Sequence, residues 1–598
     1  FDLPARPFTE QDGSAVTMPP QMQVGDRKRR TRSRAPAVAE VAVPQADPLE
    51  HRPGVVLTRE HIAELILDLV DYRAERDLAG SLLLDPCCGE GVFVMAALRR
   101  LLASAKRYDR PLPQLGSALR AVDINEAAVV ATKQRVLGLL QAEGVAAPVA
   151  AELVAKWCHQ VDYLLWTEAP VADFVVGNPP YVRIEQLASE QLAAYRARYV
   201  SLFDRADLYV AFIERSLALL GPTGLLSFVC ADRWTRNRYG GRLRRLISEH
   251  YQVRCYLDLS QASPFESTVF AYPSIFVIGQ KQQAGPSPVA VVTLRSAQAK
   301  ECQQALRLVQ GVQAQDALQS SAPSLQVHAR WFVGDEPWVL SSQVQRTLLQ
   351  TLESRFPALA DCAETRVGIG VATGCDRVFV LTSEQAEQLE PDCLLPLVMC
   401  QDLAAGQITH SERWVINTFA ADGRPIDLGR YPKLDRYLSA HREPLAKRYI
   451  ARRSPAAWFR TIDRVYPELV QTPKLLIPDI ANANQVTLDP GHYYPHHNLY
   501  YLTSQGWDLA ALGGLLSSKV ALFFVWSYAV TLRGGYLRFQ AQYLRRIRVP
   551  RPTDVPLALQ DKLRRAFCAR DFHAIDELAL TAYGIDSLPH FDFTDTRK

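Results

Sequence analysis

Ser81 to Ala105 reads SLLLDPCCGEGVFVMAALRRLLASA, and the fold turns on this stretch. Three leucines lead into Asp85-Pro86, a turn with Gly89 and Gly91 follows, and an amphipathic run begins at Val92. That order is a short buried strand, a glycine turn and a helix. Glycines there let backbone amides approach a ligand closely beside a helix N-terminus. Such turns are also common in purely structural roles, so the stretch needs its neighbours.

On the N-terminal side, TREHIAELILDLVDYRAER (58–76) has apolar residues at helical spacing, with Thr58 at the expected N-cap. On the C-terminal side come SALRAVDINEAAVVATKQRVLGLL (117–140), LVAKWCHQVDYLLW (153–166, with Asp162 at the end of a short strand) and ADFVVGNPPY (172–181). GPTGLLSFVCADRW and PSIFVIGQ supply later strands. Strand-turn-helix units at this spacing predict an α/β protein with a Rossmann-like, doubly wound parallel sheet.

The 598 residues suit two large domains, and 48% hydrophobic with 22% charged residues is ordinary for a globular chain. A net charge of +4 excludes a globally basic protein, so any basic footprint is local. Eleven cysteines form no CxxC pair and no zinc-type cluster, so no metal is expected and the compartment reads as reducing and cytoplasmic. No apolar run reaches ~18–20 residues, so no membrane span is expected. The chain opens on Phe1 rather than Met, so a natural start upstream of it is an expectation.

Residues 1–50 carry DRKRRTRSR and read as a disordered basic leader, either solvated or an arm that meets phosphates. The sheet domain is placed at 51–290, and the Gln-, Ala- and Ser-rich stretch 291–335 reads as a connector. A mixed α/β domain follows at 336–555, then a helical segment at 556–598.

In an open parallel sheet, ligands bind outside the carboxyl ends of strands at the switch point. Asp123 in AVDINE lies 38 residues after Asp85 and is either a ribose ligand or a helix N-cap. Asp162 in VDYLLW is placed to accept from an adenine amino group. Asn178-Pro179-Pro180-Tyr181 ends an apolar strand, and its two prolines forbid helix and hold the preceding residues extended. An exocyclic adenine amine is a poor nucleophile because its lone pair is delocalised into the ring. A rigid turn offering the Asn178 side-chain oxygen and the Pro179 carbonyl would hold both amine protons and free the lone pair. Tyr181 would give a stacking face, worth ~1–3 kcal/mol per base. The plain alternative is a Pro-Pro strand terminator.

These motifs, in this order, resemble the gamma-class DNA adenine-N6 methyltransferases of restriction-modification systems, over about 55–290. The later region resembles their specificity domain. The resemblance implies a methyltransferase sheet domain followed by a target-recognition domain, with S-adenosylmethionine as cofactor and double-stranded DNA as partner. It implies that Thr58, Asp85 and the Gly89–Gly91 loop hold the methionine part, Asp123 the ribose and Asp162 the adenine amine. Pro86, Cys87, Ile124, Tyr163 and Asn178 are counted with them as cofactor-binding positions. Asn178, Pro179, Pro180 and Tyr181 would hold a flipped target base, with Phe265, or else Phe270, against its other face. The family's glycine after NPPY is replaced here by Val182-Arg183.

In the second domain, Arg442, Lys447, Arg448, Arg452, Arg453 and Arg460 alternate with Tyr449, Trp458 and Phe459. They are either a solvated face or a phosphate-tracking surface. Asn482 to Gln485, His496, His497 and Asn498 are candidate base readers. LRGGYLRF (532–539), with Arg533, either touches DNA backbone or is a structural turn. The expected protein is a cytoplasmic monomer that modifies DNA, with a separately encoded restriction endonuclease or defence subunits as further partners. An NPPY-type protein-glutamine methyltransferase and a non-catalytic DNA-binding adaptor are the alternatives. A fused nuclease is not expected, because the N-terminal ~50 residues carry no PD…ExK-like set and are too few for one.

Overall fold

The computed structural model describes residues 56–591 apart from 267–271, 282–287, 314–324, 363, 405, 410–411, 482–484 and 530–536. The leader at 1–50, Phe270, Arg533 and most of the 482–485 stretch therefore lie outside the described residues.

In chain order the first domain runs α1 (Glu60–Leu69), β1 (Leu83–Asp85), α2 (Val92–Arg107), β2 (Leu119–Asp123), α3 (Glu126–Ala142), α4 (Ala147–Trp157), β3 (Cys158–Gln160) and β4 (Ala172–Gly177). It continues with α5 (Ser189–Arg198), α6 (Tyr209–Ala218), β5 (Leu220–Ala231), α7 (Arg233–Arg236), α8 (Gly241–His250), β6 (Tyr251–Asp258), β7 (Pro273–Gln280), β8 (Val289–Thr293), α9 (Ala299–Gln313) and β9 (Leu325–His328). The strands form one sheet in the order β3-β2-β1-β4-β5-β7-β6-β8-β9. β3, β2, β1, β4 and β5 are parallel, and β7 inserts antiparallel between β5 and β6. The strand order reverses at β1 and β4, which brings the ends of these two strands together at the switch point.

Both sheet faces are covered, and the alternation along the strands shows it. Leu83, Phe174 and Val176 enter one core with α1 and α2, while Leu84 and Val175 enter the other with α6.

Three local expectations are corrected. The stretch 291–335 is not a connector: β8 pairs with β6, β9 pairs with β8, and α9 packs its buried face into the sheet's core, so the sheet runs to His328. Thr58 is not the N-cap of α1; Arg59 is, and Thr58 lies in an extended bridge opposite Phe265. Asp162 does not itself end the strand, which stops two residues before it. β3 is Cys158–Gln160, after which Asp162 closes a turn by accepting from Leu164 N (3.0 Å).

The second domain lacks the βα rhythm. Thr365–Ile369, Leu499–Ser504, Lys474–Pro478 and Thr487–Asp489 form one antiparallel sheet. Val380–Thr382, Arg413–Ile416, Leu394–Val398 and Tyr494–Pro495 form another. Helices Leu509–Ser517, Lys519–Tyr528, Leu557–Ala569 and Phe572–Tyr583 share a core with the first of these sheets. Among the described residues no single helix is long and apolar enough to cross a membrane; the apolar pair 509–517 and 519–528 is bent by 60° and is core.

Candidate active site

The site begins with the loop between β1 and α2. Gly89 (φ +52°) and Gly91 (φ +87°) adopt left-handed conformations, and Gly91 starts α2. A Cβ at Gly91 would lie 2.9 Å from Thr132 Oγ1, so only glycine lets the loop sit this close to α3. Thr132 Oγ1 in turn donates to Gly89 O (2.8 Å).

Asp85, at the end of β1, is fully buried. Its Oδ1 accepts from Cys87 N (3.2 Å), while Oδ2 is buried and has no partner among the described residues. Burial pushes its carboxyl up to about 8, the Cys87 amide opposing the rise and the nearby Asp123 adding to it. Gly177, at the end of β4, permits this packing: a Cβ there would lie 3.0 Å from Asp85 Oδ1.

Asp123 is no helix N-cap. Asn125 caps α3, its side chain accepting from Ala127 N (3.0 Å) and Ala128 N (3.3 Å). Asp123 instead accepts from Gly89 N (3.0 Å) and Asn125 N (2.8 Å), which fixes the carboxylate at the rim of the glycine loop. Ile124 beside it is 59% exposed, an apolar face offered at that rim. Asp162 accepts from Tyr195 OH (2.7 Å), itself held by Gln191 Nε2 (2.7 Å). The neighbouring Tyr163 is turned into the core, where its hydroxyl meets Ser216 Oγ (2.9 Å). Its side chain is thus committed elsewhere.

Asn178 is the most constrained residue of the set. Its Nδ2 donates to Val56 O (2.9 Å) and Thr58 Oγ1 (3.2 Å), and Cys87 Sγ donates to its carbonyl (3.2 Å). A backbone carbonyl only accepts, so the amide orientation is set by Val56. That leaves Asn178 Oδ1 buried with no hydrogen bond among the described residues. Burial pushes the Cys87 thiol well up, consistent with a neutral donor.

Pro179 is buried, and Tyr181 packs edge-on to Phe265 with ring centroids 6.0 Å apart at 84°. Phe265 arrives through the bridge to Thr58 and through Glu266 N to Leu57 O (3.0 Å). The two rings stand perpendicular rather than as parallel walls. The Tyr181 hydroxyl is buried without a partner among the described residues, and burial pushes its pKa well up, with Cys230 ahead of Cys87 and Asp232 among the neighbours that add to this. Val182-Arg183 leads the chain into pairing with 207–208: Leu208 N donates to Val182 O (2.9 Å), and Arg183 bridges Asp207.

With this geometry, comparison with known proteins is decisive. The chain is 42% identical to Type II methyltransferase M.BstVI of Geobacillus stearothermophilus, over 89% of this chain and 96% of that protein. It is 43% identical to Type II methyltransferase M.PaeR7I of Pseudomonas aeruginosa, over 89% and 92%. The chain belongs to the Type II methyltransferases. Residues 118–265 of this Type II methyltransferase match the Eco57I restriction-modification methylase family, and 424–549 match the TaqI-like C-terminal specificity domain. In fold it is similar to the Type IIL restriction-modification enzyme MmeI in complex with DNA, with a TM-score of 0.60 at 14% identity, over 89% of this chain and 74% of that one.

The specificity domain sorts the basic residues expected from sequence. Arg442, Arg452 and Arg453 are exposed, Arg442 lying over the Trp458 ring (4.8 Å) and Arg453 over Tyr449 (5.8 Å). Arg448 is a structural clamp, donating to the carbonyls of Leu445, Thr373, Trp458 and Arg460 at 2.8–3.1 Å. Arg460 is half-buried with an enclosed Nε, and Phe459 is core. His497 is exposed, but His496 is buried against Asp376 (3.1 Å), and Asn498 Oδ1 is taken by Cys400 N (3.2 Å). His496 and the side-chain oxygen of Asn498 are therefore removed from the candidate base readers.

Proposed function

We propose that this Type II methyltransferase transfers a methyl group from S-adenosylmethionine to N6 of an adenine swung out of duplex DNA. Asn178 carries the proposal. Its side-chain oxygen is a buried acceptor aimed by two bonds from its own amide nitrogen and matched by no donor among the described residues. A buried acceptor left bare costs ~1–3 kcal/mol, which is sensible where a substrate N–H completes it.

The residues fit the cofactor. Asp85 Oδ2 is an orphaned buried carboxylate oxygen beside a glycine loop that a Cβ would obstruct. Asp85 and the Gly89–Gly91 loop would hold the methionine part, Asp123 the ribose hydroxyls, and Asp162 the adenine amine. When bound, S-adenosylmethionine supplies the electrophilic methyl group. Asn178 Oδ1 and the Pro179 carbonyl would take the two target N–H bonds, which returns the lone pair to the nitrogen. The amine becomes acidic once alkylated, so no strong base is required. Tyr181 would stack on the base, with Phe265 moving from its edge-on packing to meet the other face. Exposed Arg442, Arg452 and Arg453 support a phosphate-tracking surface that positions the duplex without reading it.

We propose a cytoplasmic location, with a separately encoded restriction endonuclease as counterpart; eleven free cysteines support a reducing compartment. Transfer of tritiated methyl to duplex DNA and to protein acceptors, measured side by side, tests the proposal. Label is expected in DNA; label in protein alone would overturn it.

A further inference from the structure

Beyond the motif residues, a second set of side chains emerges from the same end of the sheet. β4 and β5 run parallel with Gly177 opposite Phe228, so the residues after β5 flank the NPPY turn. Asp232, the first of them, is 6% exposed, and its Oδ1 is buried without a partner among the described residues. It is close enough to the buried Tyr181 hydroxyl to disfavour that group's ionisation. Its backbone is pinned from both sides, Asp232 N donating to Tyr272 O (2.8 Å) and Thr235 Oγ1 to Asp232 O (2.7 Å).

Arg236 ends the short helix α7 that Asp232 opens. Its guanidinium lies within electrostatic range of the carboxylates of Asp232 and Asp258, which follow β5 and end β6, and its Nε is buried with no hydrogen-bond partner among the described residues. Its NH1 donates to Ala529 O (3.0 Å), 293 residues away. Ala529 belongs to the core of the second domain, so this one side chain joins the two halves of the molecule. The same α7 turn also receives Trp338 N at Thr235 O (2.8 Å), where the chain enters the second domain. A guanidinium suits this task because it stays charged when buried and donates from a rigid plane, whereas an ammonium is a point charge on a flexible stem.

We infer that Arg236 is a positioning residue that couples the placement of the specificity domain to the target-base pocket, by tying the Asp232 turn, and with it the Tyr181 face, to the backbone at Ala529. This rests on the adenine-methylation reading. Duplex engaged correctly by the specificity domain would hold Ala529, and through Arg236 the pocket, in one arrangement. An arrangement loosened by even an ångström costs about 100-fold in rate.

The test is steady-state kinetics of Arg236→Lys and Arg236→Gln in the full chain, with cofactor affinity and melting temperature measured on the same samples. Wild-type turnover and its product are recorded first, because absent DNA methylation defeats the adenine reading and leaves the mutant comparison to be judged separately. Both variants are expected to lose ~10- to 100-fold in kcat, with KM for DNA and Kd for cofactor within about threefold. Arg236→Lys turning over within about twofold of wild type overturns the inference, as does loss of cofactor affinity and melting temperature in step with kcat, which marks a merely structural residue. Should Arg236→Gln not fold, Arg236→Lys, which keeps the charge, decides alone.

Discussion

Asn178 and Thr58 form a pair whose substitutions should be graded. Asn178→Ala removes the aimed acceptor from the reacting centre. Loss of one such preorganised group costs ~2.7–4 kcal/mol, or about 10²–10³ in kcat. Thr58→Val keeps the β-branched shape of the bridge to Phe265 but deletes the 3.2 Å bond from Asn178 Nδ2. A neutral hydrogen bond is worth ~0.5–1.5 kcal/mol net, so kcat should fall roughly two- to twelvefold. The Val56 bond at 2.9 Å remains and keeps the amide from flipping, which is why the loss is partial. Single-turnover transfer of tritiated methyl at saturating cofactor and DNA measures both, with calorimetric cofactor binding as the control. Asn178→Ala retaining more than about a tenth of wild-type turnover would refute its role. A Thr58→Val defect larger than that of Asn178→Ala would refute the aiming by Thr58.

Asp85, pushed up to about 8 by burial, is mostly protonated at pH 7 in the free protein. A cationic ligand end that binds it ionised should release about one proton, and affinity should climb ~tenfold from pH 6 to pH 7. Calorimetry in buffers of different ionisation enthalpy reads this, and an unchanged slope in Asp85→Asn would count against it. The same carboxyl's contribution to the free protein's stability is fully present below pH ~4 and is lost as pH rises through about 8. Tyr195→Phe deletes the 2.7 Å bond to Asp162 and should weaken cofactor binding about five- to tenfold, ~1 kcal/mol; unaltered titration curves would remove Asp162 from the site. Charge reversal at Arg452 and Arg453 should weaken all DNA sequences alike and lower the salt slope by about two. Arg448→Ala, in contrast, should lower the melting temperature by ~4–8 °C with little change in salt slope. Reversed behaviour of the two would exchange their assignments.

The parts visible in sequence were those written locally. Gly89 and Gly91 mark a turn because their backbones take φ values that other residues avoid, and the two prolines of NPPY fix their own dihedrals. What sequence alone could not settle depends on where the chain goes next. Asp123 and Asn125 are both good helix caps two residues apart, and only the point where β2 ends decides that Asn125 takes the role. Arg448 and Arg452 look alike in sequence, but one faces four carbonyls and the other solvent. The stretch 291–335 has the composition of a linker, yet the edge of β6 was available and Val289–Thr293 pairs along it. The roles of Tyr195 and Arg236 carry no local signal, because Asp162 lies 33 residues from Tyr195 and Ala529 lies 293 residues from Arg236, across the domain boundary.

The most direct measurement is the identity of the methylated nucleoside. Duplex DNA is incubated with the protein and isotopically labelled S-adenosylmethionine, digested to nucleosides and resolved by mass spectrometry, with Asn178→Ala as the parallel control. The label should appear in N6-methyladenosine's deoxy form alone and fall by at least about 100-fold in the variant. Label on cytosine, or equal label from wild type and Asn178→Ala, would contradict an adenine amine held by Asn178.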